Sequence, residues 1–203
     1  MSVSGLSSFS QPVSYSTKKP GPIVQPQPAS GKKVNGITDP VYRYNHPIME
    51  TPVTRDLDAK GIPYRLFIHP GQLQSLEQAA QERGQRPEQV VRSILFRLAN
   101  DQFVMVLAPG PQQISWPALR QHLRVTRISM ASPEEVLERT GYLHGAVSPF
   151  GLPTSIRILV DQGVFTEEEI SIGSGVRNTT IIMKTTDLRQ ALGEFETGCF
   201  VEC

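Results

Sequence analysis

From Thr51 onward, short apolar runs alternate with polar-faced segments that carry helix caps, and the spacing predicts a regular succession of helices and strands. Thr51-Pro52 supplies a cap and a first-turn proline for a short helix ending at Gly61. Pro63–His69 (PYRLFIH) reads as a strand, and Ser75-Leu-Glu-Gln78 as a capping box whose helix stops at Gly84. Pro87 opens another helical turn. Val90–Leu98 (VVRSILFRL) runs on as a strand, and Asn100-Asp101 turns it into Gln102–Ala108, forming a hairpin. Ser115 is expected to cap a helix through His122, and Ser132-Pro-Glu-Glu135 starts another that ends before Gly141. β-Branched residues mark Ser155–Asp161 and Thr179–Lys184 as strands, with Glu169–Ile172 a shorter one between them. Thr186–Leu192 is a final helix closed by Gly193. Helices interspersed with hairpins predict a single α+β domain with a mixed sheet, not a doubly wound parallel one.

Residues 1–40 break this pattern. They are rich in Ser, Pro, Gln and Lys and hold few large apolar groups, so they are expected to form a disordered tail, with the domain running from 46 to 203. The tail holds Lys18, Lys19, Lys32 and Lys33 against Asp39. This net +3 leaves −2 for the remainder of a chain of formal charge +1. A nucleic-acid partner would therefore have to meet the folded part through a local patch. No apolar run approaches the roughly 18 residues of a membrane span, which argues against a membrane partner. Cys199 and Cys203 make neither a disulfide framework nor a metal site, and reduced thiols in a cytoplasmic protein are the expectation.

Two glycine-rich loops stand out. The first, Gly141–Gly151 (GYLHGAVSPFG), lies between a well-capped helix and an apolar strand. Its glycines permit close backbone approach to a ligand, and Pro149 fixes its shape. Within it His144 and Ser148 can offer hydrogen bonds to an ester or ribose, although a surface imidazole explains His144 about as well. Ser148 has no base partner at triad-like spacing and is not a candidate nucleophile. The second, Gly173-Ser174-Gly175, is equally compatible with a simple tight turn. His69 can border a pocket or be a structural histidine. Asp161 reads as a structural group, and Trp116 as packing more often than a base-stacking platform.

Together with Arg92, these loops complete a pattern. Gly61-Ile-Pro-Tyr64, His69, Ser75–Ala80, Val90-Val-Arg-Ser-Ile-Leu95, Met130-Ala-Ser-Pro-Glu-Glu135, Thr140-Gly-Tyr142, Gly145-Ala-Val-Ser-Pro-Phe-Gly151, Val160-Asp161 and Gly173-Ser-Gly175 resemble the YbaK/prolyl-tRNA-synthetase-associated domain from about Thr51 to Gly193. The most specific element is the GxxxP loop, Gly145 to Pro149.

The resemblance implies a partly barrel-like central sheet flanked by helices. It also implies hydrolysis of the ester joining a wrong amino acid to tRNA, most often a proline tRNA, without metal or organic cofactor. The expected partners are the aminoacylated 3′ end of tRNA and, further, an aminoacyl-tRNA synthetase. The loop residues Gly145, Ala146, Val147, Ser148 and Pro149 are implied to hold the substrate; with Gly173, Gly175, His69, Met130 and Phe150 as candidate pocket neighbours they make the expected substrate-binding set, and Arg92 and His144 are the catalytic candidates. The resemblance places a lysine where this chain has Arg92. Arginine keeps the charge and grips oxygens bidentately, but it does not deprotonate, so a role needing a neutral amine is lost while an electrostatic clamp is retained. Three readings follow: a trans-editing deacylase, a homologue that binds aminoacyl-tRNA or a nucleotide without hydrolysis, or a scaffold for a synthetase.

Overall fold

The computed structural model describes residues 49–202; the 1–40 segment expected to be disordered lies outside the described residues. The described elements are α1 (Pro52–Ala59), β1 (Arg65–Ile68), α2 (Leu76–Glu82), β2 (Val91–Leu98), β3 (Phe103–Pro109), α3 (Trp116–Leu123), β4 (Ile128–Met130), α4 (Pro133–Thr140), β5 (Arg157–Asp161), β6 (Glu169–Gly173), β7 (Thr179–Lys184), α5 (Thr185–Leu192) and β8 (Glu196–Gly198).

Local chemistry explains most of the helix starts. Ser132 Oγ accepts from Glu135 N while the Glu135 carboxylate accepts from Ser132 N, so α4 begins on a reciprocal capping box. Thr51 and Thr54 form the same arrangement at α1. At α2 only half of the expected box forms: Ser75 accepts from Gln78 N, but the Gln78 side chain accepts from Gln74 N. Ser115 makes no side-chain cap on α3; its N–H instead donates to Phe200 O at 2.7 Å, because the C-terminal segment is laid alongside it.

The strands form two sheets, ordered β1-β7-β6 and β4-β2-β3-β5-β8. The β2–β3 hairpin is antiparallel, whereas β3–β5 and β5–β8 are parallel, which makes the larger sheet mixed. A parallel bridge between Val90 and Ser171 joins the two sheets and gives the partly barrel-like closure. Side chains along β2 alternate between two cores. Val91 and Leu95 pack with Val53, Leu57, Phe150 and Ile172, while Phe96 and Ile94 pack with Leu119, Leu123 and Phe200. Trp116 meets Phe96 edge-on at 5.4 Å and belongs to the second core, so it serves packing.

Candidate functional site

β4 pairs with β2 only at Phe96–Leu98. Between this pairing and the Val90–Ser171 bridge, β2 therefore presents a short free edge around Ser93. Val90 O accepts from Gly110 N and Leu98 N donates to Gln102 O, so the even-numbered residues point their backbone groups at β3. In an antiparallel ladder the odd-numbered residues point theirs outward. The N–H and C=O of Ser93 thus face away from β3, toward the open edge.

That edge forms one wall of a cavity of about 420 Å³, within the roughly 300–1,000 Å³ of small-ligand sites. Its other walls come from α2, the 130–136 segment, the glycine–proline loop, and β6 with the start of β7. Val91, Leu95, Val136 and Ile172 make an apolar floor. Arg83, Arg92 and His144 also line it, and no carboxylate among the described residues does. Five buried side-chain N or O atoms among the described residues have no hydrogen-bond partner, and four of them belong to residues lining this cavity: Arg83 Nη2, Arg92 Nε, Ser93 Oγ and Ser171 Oγ. Buried polar atoms are normally paired, so their concentration here makes this cavity the candidate site for a polar ligand.

The loop opposite β2 is held rigidly. Tyr142 OH donates to Phe150 O at 2.6 Å, and burial, with Asp56 nearby, pushes the Tyr142 phenol up to about 12. Gly151 N donates to Asp56 Oδ2, and Gly175 N to Ala146 O. A Cβ on Gly173 would lie 2.2 Å from Val147 O, so only glycine lets β6 approach the loop this closely. Gly145 adopts φ +87 with open space where a Cβ would be. Ser174 Oγ, bonded to Thr179 O, fastens the following turn.

Arg92, His144, Gly145, Val147, Gly173 and Met130 all line the cavity. Ser148 does not: it is fully buried, and its Oγ accepts from Phe150 N. Phe150 sits in the first core, Ala146 is buried, and Gly175 packs against Tyr142 and Val53. Pro149 faces a separate shallow groove with Gly151 and Leu152. Arg92 shares its face of β2 with Ile94; its Nη2 donates to Gln112 O, while its Nε is buried without a partner among the described residues. Burial lowers its pKa.

His69 lies behind the wall, its side chain wholly buried, with Nδ1 2.6 Å from Glu82 Oε2 and Nε2 3.0 Å from Arg83 Nη1. Arg83, at the C-terminal end of α2, was not singled out by the sequence, because a polar residue ending a polar helix reads as a solvated face; no local signal distinguishes it. Burial lowers its pKa to about 10, against the opposing pull of Glu82, and it remains a cation at neutral pH.

The fold and the site define an α+β domain with a cationic cleft between a short free strand edge and a glycine–proline loop held by hydrogen bonds. The chain belongs to the aminoacyl-tRNA editing domain family, whose sequence model matches residues 56–191. It is 27% identical over 135 residues to the Multifunctional Ser/Thr-tRNA deacylase ProXp-y of Escherichia coli K12, a match covering 64% of this chain and 80% of that protein. It is 29% identical over 114 residues to a proline–tRNA ligase of Thermosipho melanesiensis, covering 56% of this chain but only 20% of the ligase. A crystal structure described as a candidate trans-editing enzyme for prolyl tRNA synthetase shares the fold, with a TM-score of 0.69 and 22% identity over 75% of this chain and 96% of that one.

Proposed function

We propose that this protein hydrolyses the ester between an amino acid and the 3′ end of tRNA, acting on its own as an editing deacylase, with a small amino acid on a proline tRNA as the expected substrate. The observation that carries the reading is the cavity shared by Arg92 and the Gly145–Val147 segment, lined by orphaned donors and free of carboxylates. Its apolar floor suits a small side chain, and its size sets the limit on what enters. With no acidic side chain in the lining, the outward Ser93 carbonyl is the natural acceptor for the substrate's α-ammonium.

In the reaction, water attacks the ester carbonyl carbon, and the carbonyl oxygen takes up negative charge. The intermediate collapses to the free amino acid and the ribose hydroxyl, which leaves with a proton. Arg92 cannot act as a base. Its cationic guanidinium suits the developing oxyanion, with the backbone of Gly145 and Val147 lining the same cavity. Water can be oriented by the neighbouring ribose hydroxyl of the tRNA itself. Membership of the editing family and likeness to a Ser/Thr-tRNA deacylase support the reading. The ligase resemblance concerns a fifth of that protein, so it supports tRNA as partner and a synthetase as companion, not ligation. A cytoplasmic location goes with this function.

The test is a panel of tRNAs charged with Ala, Ser, Thr, Cys and Pro. Acyl loss from at least one, reduced about tenfold or more by Arg92→Ala, is expected. No loss from any, with tRNA still bound, would make the protein a non-catalytic binder.

A further inference from the structure

The cavity contains a second cation that the family resemblance did not point to. Arg83 reaches its wall from the end of α2, and its guanidinium is fixed on three sides. Nε donates to Gln85 Oε1 at 3.1 Å; Nη1 donates to His69 Nε2 at 3.0 Å and makes a longer contact with Thr180 Oγ1 at 3.4 Å. Nη2 is buried, has no partner among the described residues, and belongs to a cavity-lining residue. A guanidinium has no lone pair to offer, so His69 Nε2 must be the acceptor. The ring's proton therefore sits on Nδ1 and is donated to Glu82 Oε2, and this hydrogen bond holds the Glu82 carboxyl below the usual carboxylate range. Glu82, His69 and Arg83 thus form a relay of orientation, anchored on α2, that leaves one charged N–H unspent.

Holding a guanidinium in one rotamer costs side-chain entropy, and burying an unpaired charged donor costs more. Both costs are offset when a ligand supplies the acceptor. We infer that Arg83 is a substrate-binding residue whose Nη2 receives an anionic oxygen of the aminoacyl-tRNA terminus, and that His69 is the positioning residue that aims it. The anionic oxygen is either the phosphate preceding the terminal adenosine or the oxygen that becomes negative at the ester carbonyl. This inference rests on the deacylase reading.

The test compares wild type, Arg83→Ala, Arg83→Lys, His69→Gln and His69→Asn, with steady-state rates on the aminoacyl-tRNA that wild type hydrolyses best and thermal unfolding as the control for folding. Arg83→Ala is expected to lower kcat/KM about tenfold or more, the usual weight of a charge-assisted hydrogen bond, with Arg83→Lys recovering part of the loss. A rise in KM assigns the phosphate, and AMP should then compete better than adenosine in wild type but not in Arg83→Ala. A fall in kcat assigns the carbonyl oxygen, and AMP and adenosine should then compete alike. His69→Gln, which keeps an acceptor for Arg83, should outperform His69→Asn, which keeps only the donor for Glu82. Because Arg83→Lys tests the same contact with less disruption, unfolding of Arg83→Ala leaves the comparison intact. Unchanged kcat/KM in both Arg83 variants, or His69→Asn equal to His69→Gln, overturns the inference while leaving the deacylase reading standing. Failure of wild type on every charged tRNA removes that reading itself.

Discussion

Asp161 and the open edge of β2 handle buried polar groups in opposite ways. At the end of β5, Asp161 is 3% exposed, yet each of its oxygens is used: Oδ1 accepts from Gly163 N, and Oδ2 from the amides of Phe200 and Val201. At β2, Arg92 Nε and Ser93 Oγ are buried with no partner among the described residues. The first region is complete within the chain. The second leaves them unpaired, as the proposed substrate site requires. A folded domain has little stability to spare, so unpaired groups gathered around one cavity make it the candidate place where stability is exchanged for binding.

The contrast predicts that substitutions in the two regions separate stability from turnover. Asp161→Ala should have the largest effect on folding. Three amides lose their acceptor, at a cost of about 3 kcal/mol or more, lowering the unfolding midpoint by roughly 6–12 °C. Deacylation per folded molecule, measured well below that midpoint, should hold. Gly173→Ala drives a Cβ to 2.2 Å from Val147 O. The strain is about 1–3 kcal/mol, and because the loop must move away from β6, deacylation should fall together with stability. Equal activity in this variant would mean that the loop's position does not matter.

These regions were unequally legible in the sequence. Elements fixed by neighbouring residues were readable: the Ser132–Glu135 cap, the β2–β3 hairpin and the α5 stop at Gly193. β4 and β8 were not foreseen, since each is three residues long and is a strand only because a distant edge accepts it. Ser115 stands at the N-cap of α3 as expected but makes no side-chain cap bond, and its own N–H goes to Phe200 O, 85 positions away, a contact no local signal announces. In the site, the glycine–proline loop and Arg92 carried visible signals. The loop's inner and outer faces did not, so Ser148 and Phe150, expected among the substrate-binding residues, lie in the packed interior. Arg83 enters the cavity wall through tertiary packing alone.

Smaller effects refine the picture. Arg92→Lys keeps the charge and should retain or raise deacylation, with stability changed by less than about 1 kcal/mol. A collapse would show that the guanidinium's geometry is required, not its charge alone. Far from the cavity, Glu196 is held at about 2 by its hydrogen bond to Arg157, with His122 adding to the effect. A carboxyl whose folded pKa is depressed stabilises above its ordinary value and loses that contribution as pH falls toward the folded one. Stability should thus decline between about pH 4.5 and 2, a decline that Glu196→Gln blunts. The pair is half-exposed, so the effect stays below about 1 kcal/mol, and turnover at neutral pH should not change.

The most direct measurement is acyl release from the panel of charged tRNAs by wild type and by Ser93→Phe, which places a ring in the cavity from the β2 edge. Release from at least one tRNA by wild type, lost in a Ser93→Phe protein that still unfolds cooperatively near the wild-type temperature, is the predicted result. Equal release by the filled variant would contradict the account, because hydrolysis would then be taking place somewhere other than between β2 and the glycine–proline loop.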